Sequence, residues 1–184
     1  ASHYRPVETG GCIMKDFSRI KCFCFDVDGT LTTGALYFGQ QGEALKVFNA
    51  QDGMIINLVR KLGYKVAFIT GRESPMVQAR ANELHIDYLA MKCGRKLDAL
   101  HTVCEKFNLS LDEAAYMGDD INDLPLIGKT GYFGAPANAC RDVKEGADFV
   151  ASRAGGEGAA REFMEFIVRG QGRWQEVLDF YLHA

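Results

Sequence analysis

Several absences narrow the reading of this chain. No apolar run reaches the ~18 residues that a membrane-spanning helix needs, so no membrane association is expected. No basic stretch stands out against a formal net charge of -3, and a nucleic-acid partner would leave one. The opening residues, Ala1–Gly11, are polar and carry no apolar core of the secretory kind. The expected location is the cytoplasm, although a processed chain would read the same. The six cysteines (Cys12, Cys22, Cys24, Cys93, Cys104 and Cys140) form no CxxC pair and have no histidine at zinc-ligand spacing. Cys22 and Cys24 fall inside an apolar run, where reduced core thiols are expected. There is no internal repeat, low-complexity segment or long linker.

With 184 residues, 47% of them hydrophobic, the chain has enough material for one compact domain and hardly enough for two. Residues 1–18 are expected to be a poorly ordered lead-in, and 19–184 a single domain ending in a helical tail. The apolar run Ile20–Val27 predicts a strand buried on both faces. Ala35–Phe38 and Glu43–Phe48 predict a hairpin around a four-residue loop, Gly39-Gln40-Gln41-Gly42. Asp52 is placed as the cap of a helix that runs through Leu62 and stops at Gly63. Lys65–Thr70 is a second buried strand, and Ser74-Pro75 opens another helix. Ile86–Met91 is a strand, and Lys96–Phe107 a helix closed by Asn108. Ala114–Met117 is a strand, followed by a short helix around Asp123–Ile127. Gly131–Gly134 and Phe149–Val150 are strands flanking a helix over Asn138–Glu145. Ala154–Gly158 is expected to be a glycine-rich hinge. Alternating strands and helices imply a three-layer α/β/α, Rossmann-like parallel sheet. Ligands on such sheets bind beyond the carboxyl ends of the strands.

Acidic residues sit at those ends. Asp26 and Asp28, two apart, can face one spot where the first strand gives way to Gly29. Two close carboxylates repel, and burial worsens the repulsion. A hard divalent cation such as magnesium removes the difficulty and can also hold phosphate oxygens. Gly118-Asp119-Asp120-Ile121-Asn122-Asp123 places more carboxylates at another strand end. Either cluster alone could be an Asp-rich turn; together they form one acidic basket. Thr70 ends a strand and could donate to a phosphoryl oxygen or cap a helix. Lys96 begins a helix, where its charge opposes the helix dipole unless an anion is near.

In this order, the stretches Asp26–Thr32 (DxDGTxT), Thr70, Lys96 and Gly118–Asp123 (GDDxND) resemble the four motifs of the haloacid dehalogenase superfamily. The resemblance spans about residues 20–170. It implies that Asp26 is the nucleophile, that Asp28 protonates the leaving oxygen and then activates water, and that Thr70 and Lys96 hold phosphoryl oxygens. It also implies that Mg2+ is bound by Asp26, the backbone carbonyl of Asp28 and Asp119, with Asp120 and Asp123 acting one layer out. Attack by one anion on another requires such cancellation of charge.

Only a hairpin fits between Thr32 and Asp52, and only one helix and one strand between Thr70 and Lys96, so the chain is of the capless type. The hairpin, with Gly42–Asn49, Asp52-Gly53, Thr70-Gly71-Arg72 and Ala154–Glu162, resembles the 3-deoxy-D-manno-octulosonate 8-phosphate phosphatases. That resemblance implies hydrolysis of a sugar-acid phosphate in lipopolysaccharide precursor biosynthesis. It also implies a homotetramer with hairpins at its centre, a neighbouring subunit closing each site, and a glycine-rich segment able to fold over one. The sugar carboxylate calls for a cation. Arg72, beside Gly71, is the nearest candidate and favours the octulosonate over 2-keto-3-deoxynononate 9-phosphate, for whose phosphatases the family comparison suggests an acidic residue there. Arg80, further along the helix, is expected to be exposed and outside the site. Glu157 departs from the family pattern, which is often basic at that position. Alternatives are another sugar-phosphate phosphatase, a phosphomutase, a non-catalytic tetramerisation module, or a phosphoacceptor domain. The carboxylate of Asp28, as a base for water, favours hydrolysis over the last.

Overall fold

The structure, a computed structural model, describes residues 15–182. Six strands form one parallel sheet: β1 (Cys22–Phe25), β4 (Lys65–Ile69), β5 (Tyr88–Ala90), β6 (Ala114–Met117), β7 (Tyr132–Ala135) and β8 (Phe149–Val150), in the order β5-β4-β1-β6-β7-β8. The separate hairpin consists of β2 (Tyr37–Gly39) and β3 (Gly42–Leu45). From β1 the chain adds strands in one direction, then returns to add β6 on its other side. The sheet order therefore reverses between β1 and β6, the kind of switch point where a crevice opens.

Alternation along β1 builds two cores. Phe23 and Phe25 face a layer containing α1 (Ala50–Lys61), α2 (Pro75–Glu83), α5 (Ala159–Gly170) and α6 (Trp174–Leu182). Cys22 and Cys24 face α3 (Lys96–Phe107) and α4 (Arg141–Gly146). Their thiols lie 3.7 Å apart and are free, as expected of reduced core cysteines. Register levels the strand ends: Phe25 pairs with Phe68 on one side and Met117 on the other. Asp26, Thr70 and Asp119 thus emerge together at one edge.

Several local expectations are corrected. The cap of α1 is Asn49, whose side chain accepts from Gln51 and Asp52 N–H; Asp52 lies inside the helix and is buried. The hairpin loop is the two residues Gln40 and Gln41, because Gly39 pairs with Gly42, whose φ of +104° suits a tight reversal. The short helix near Asp123 is a 3-10 turn over Ile121–Leu126, capped by Asp120. Arg80 is half-buried, donating to the Asn49 carbonyl at 3.2 Å and lying over the Phe48 ring. The C-terminal segment is helical, as expected, and its first helix is part of the core: Phe163, Met164 and Ile167 of α5 are buried, and Phe163 occupies space left by Gly134. Residues 1–14 of the expected lead-in lie outside the described residues. Within that lead-in, Phe17 packs edge-on against Tyr132 and beside Phe166, and Lys15 Nζ donates to the Thr130 carbonyl at 2.8 Å.

Candidate active site at the carboxyl edge of the sheet

Asp26 follows β1 and is buried, while its backbone N–H still donates to the Met117 carbonyl at 3.0 Å. Gly29, at φ +89°, lets the chain turn back toward Asp119; a Cβ there would lie well inside 3.0 Å of the Asp119 carboxylate. Gly118 makes the corresponding space for Asp123. These two glycines are why two loops from different strands can share one small volume. The Thr30 hydroxyl donates to Asp119 at 3.3 Å.

Asp26, Asp119 and Asp123 each offer a carboxylate oxygen, and these oxygens lie within 4.8 Å of one another. The Lys96 ammonium, buried at the start of α3, is 3.0 Å from Asp26 and 2.7 Å from Asp123. The lysine that opposes the α3 dipole thus has its anions. Burial pulls its pKa down, but the charges of Asp26 and Asp123 outweigh this and raise it. Asp123 is saturated: Lys96 and Tyr116 Oη meet one oxygen, and the N–H groups of Asp119 and Asp120 meet the other. Among the described residues Asp119 forms no ion pair. Burial, reinforced by the charges of Asp26 and Asp123, pushes its carboxyl up to about 8. Burial likewise pushes Asp26 up to about 6, against the pull of Lys96. Three carboxylates around one ammonium fit a divalent cation, which would relieve this repulsion.

Asp28, half-buried, points its carboxylate to the hairpin side. It pairs with Lys46 Nζ and, at 3.8 Å, with Arg72 Nε. Lys46 also meets Glu43 at 2.8 Å, and Arg72 meets Glu43 at 3.7 Å. Burial would raise the Glu43 pKa, but the Lys46 contact more than offsets it and the net shift is downward. Thr70 is buried at the end of β4, its hydroxyl oxygen accepting the Arg72 N–H at 3.3 Å. Gly71 and Arg72 are exposed beside it, and Asp120 faces solvent as the cap of the 3-10 turn. Lys46, Glu43, Tyr116 and Asn138 belong to this neighbourhood and are not among the expected site residues, although Glu43 and Lys46 fall in the Gly42–Asn49 stretch of the family resemblance. Asn138 donates to the Gly29 carbonyl at 2.9 Å and accepts the Gly155 N–H at 2.6 Å. The glycine-rich segment expected to be a hinge instead packs on the loop that follows Asp26: Gly156 N–H donates to the Thr30 carbonyl at 3.2 Å.

The pattern of haloacid dehalogenase-like hydrolases matches residues 89–163. Over 176 residues, 96% of this chain and 93% of the relative, the sequence is 37% identical to the 3-deoxy-D-manno-octulosonate 8-phosphate phosphatase of Salmonella typhi. The chain belongs to this phosphatase family. A crystal structure of the Moraxella catarrhalis 3-deoxy-D-manno-octulosonate 8-phosphate phosphatase, in complex with magnesium ion, phosphate ion and the sugar acid KDO, superposes with a TM-score of 0.85 at 34% identity. That match covers 89% of this chain and 94% of the other. The cobalt-bound form of the Haemophilus influenzae phosphatase gives 0.82 at 35% identity, covering 85% and 91%. Like these phosphatases, the chain is a six-stranded α/β domain. It has no inserted cap: only the hairpin separates Thr32 from α1, and only α2 and β5 separate Thr70 from α3.

Proposed function

We propose that the protein hydrolyses 3-deoxy-D-manno-octulosonate 8-phosphate to the free sugar acid and phosphate, through an aspartyl-phosphate. The observation that carries this reading is the convergence of Asp26, Asp119 and Asp123 around Lys96 at the switch point. Asp26 forms a bond from a carboxylate oxygen to phosphorus while the bond to the sugar oxygen breaks. Asp28 gives that oxygen a proton, then takes one from the water that cleaves the aspartyl-phosphate and frees Asp26. Thr70 and Lys96 hold the phosphoryl oxygens, and Lys96 also screens the nucleophile's charge. Magnesium would be held by Asp26, Asp119 and the Asp28 carbonyl, and when bound supplies positive charge that lets the two anions approach. Asp123, with both oxygens engaged, serves one layer out by orienting Lys96 and the Asp119 backbone; Asp120 shapes the turn between them.

Arg72 is suited to the sugar carboxylate, with Gly71 leaving the approach open. Its pairing with Asp28 and Glu43 is long and half-exposed, so an incoming carboxylate can replace it. We further place the enzyme in the cytoplasm, in lipopolysaccharide precursor synthesis, and as a homotetramer. The hairpin supports the assembly: Leu36, Tyr37, Phe38, Leu45 and Val47 are exposed, and only Phe48 turns back onto the core. A neighbour covering this face would also exclude water from an open site. The test is phosphate release by the purified protein from octulosonate 8-phosphate and from 2-keto-3-deoxynononate 9-phosphate. Preference for the former supports the reading, and comparable turnover of both removes the role assigned to Arg72. A monomeric mass by light scattering at micromolar concentration removes the tetramer.

A further inference from the structure

Asp52 sits in the first turn of α1, where the mechanism does not use it, and it is buried, only 3% exposed. A carboxylate there is costly: burial pushes its pKa up to about 6, against the opposing pull of the Arg161 N–H and of the Arg80 and Arg153 charges. A group needed only to fill space could be uncharged. Its Oδ1 accepts the Arg161 N–H at 2.8 Å, in the first turn of α5. That helix has Gly158 at its N-cap and so no capping side chain of its own. Asp52 provides the missing acceptor from another helix, with a charge that suits a helix N-terminus.

What α5 carries into place is the segment before it. Gly155 and Gly156 lie directly on the backbone of the nucleophile loop: a Cβ on Gly155 would run into the Gly29 carbonyl, and one on Gly156 into Thr32. Gly156 N–H reaches the Thr30 carbonyl, and Asn138 bridges Gly155 N–H to the Gly29 carbonyl. Gly29 in turn fixes the approach of Asp119. One run of contacts therefore joins Asp52, the start of α5, Gly155–Gly156 and the loop between Asp26 and Thr33.

We propose that Asp52 is a positioning residue for phosphoryl transfer: by pinning the start of α5 it clamps Gly155–Gly156 onto the Gly29–Thr33 loop and keeps that loop in its reacting geometry. The proposal rests on the phosphatase reading above. Its role is distinct from that of a cap alone, which would stabilise α5 without reaching the loop.

The full-length protein is compared with Asp52→Ala, Asp52→Asn and Asn138→Ala, using octulosonate 8-phosphate with magnesium. Asp52→Ala is expected to lower kcat about tenfold with KM changed less than about threefold, and Asp52→Asn, which keeps an acceptor, to stay within about twofold of the parent. Asn138→Ala breaks the same run at its other end and is expected to show the same kcat-selective loss. Hydrogen exchange at Gly29–Thr33 should speed up in both alanine variants and not in Asp52→Asn. If Asp52→Ala does not fold, Asn138→Ala and Asp52→Asn decide. Parental kcat with exchange changes confined to residues 158–162 overturns the proposal. An inactive parent protein instead refutes the phosphatase reading, and exchange at the loop then decides the positioning claim alone.

Discussion

Gly29 and Asp119 are so closely apposed that a Cβ on Gly29 would lie well inside 3.0 Å of the Asp119 Oδ2 atom. Gly29 also has φ +89°, where a side chain is strained regardless of space. Gly29→Ala should therefore cost about 1–3 kcal/mol of stability. It should also push Asp119 out of the carboxylate cluster, lowering magnesium-dependent kcat/KM at least about tenfold. Chemical denaturation and steady-state kinetics check the two effects separately.

Lys96 is the buried cation between Asp26 and Asp123. Lys96→Met leaves those carboxylates uncompensated, and removing one partner of a buried pair costs about 3–5 kcal/mol. The loss in melting temperature should be larger in chelator than in magnesium, because an added cation restores part of the missing charge. An equal loss in both conditions would mean that no cation reaches the cluster.

Lys46 joins the hairpin to Asp28, and its side chain is only 2% exposed. In Lys46→Met, Asp28 keeps only the longer Arg72 contact. Loss of a charge-assisted contact that holds Asp28, the proposed proton donor, should lower kcat about tenfold with a smaller change in KM. Steady-state kinetics on the natural substrate separates the two constants.

Asp52 has a folded-state pKa of about 6 against an ordinary 3.8. The raised value means the ionised form is disfavoured on folding. Its penalty is absent below about pH 4, grows as pH rises toward 6, and is then constant. Asp52→Asn should therefore gain stability relative to the parent across that window, by at most about 3 kcal/mol. Melting curves of both proteins from pH 4 to 8 read the difference, and a constant offset would contradict the assigned burial.

The alternation of apolar strands and helices made the parallel sheet legible, because buried parallel strands are continuous apolar runs such as Cys22–Phe25. The placement of Asp26, Asp28, Thr70, Lys96 and Asp119 at one edge of the sheet was legible too, since each lies within three residues of a strand's carboxyl end or opens a helix. The cap of α1 was misplaced by three residues because Asn49 and Asp52 are both good capping residues, and only the backbone at Asn49 chooses between them. The hairpin loop was read too long because Gly39 and Gly42 look like turn residues and are the closing pair. Glu43, Lys46 and Asp52 fall in stretches that carry the family resemblance and Asn138 does not, but for none of the four did the sequence indicate a contact at the site. Each acts through a partner far along the chain, such as Lys46 on Asp28 or Asp52 on the Arg161 N–H, and such pairing is visible only after folding. The same holds for α5, whose glycine-rich approach resembled a hinge but packs against backbone.

The account depends on anionic groups gathered around one divalent cation so that Asp26 can reach phosphorus. Phosphate release from octulosonate 8-phosphate, measured for the parent protein and Asp26→Asn with magnesium and with chelator, tests this most directly. The expected result is release by the parent in magnesium only, and none by Asp26→Asn even though its far-ultraviolet circular dichroism matches the parent. Release by Asp26→Asn at a rate near the parent's, or undiminished release by the parent in chelator, would contradict it.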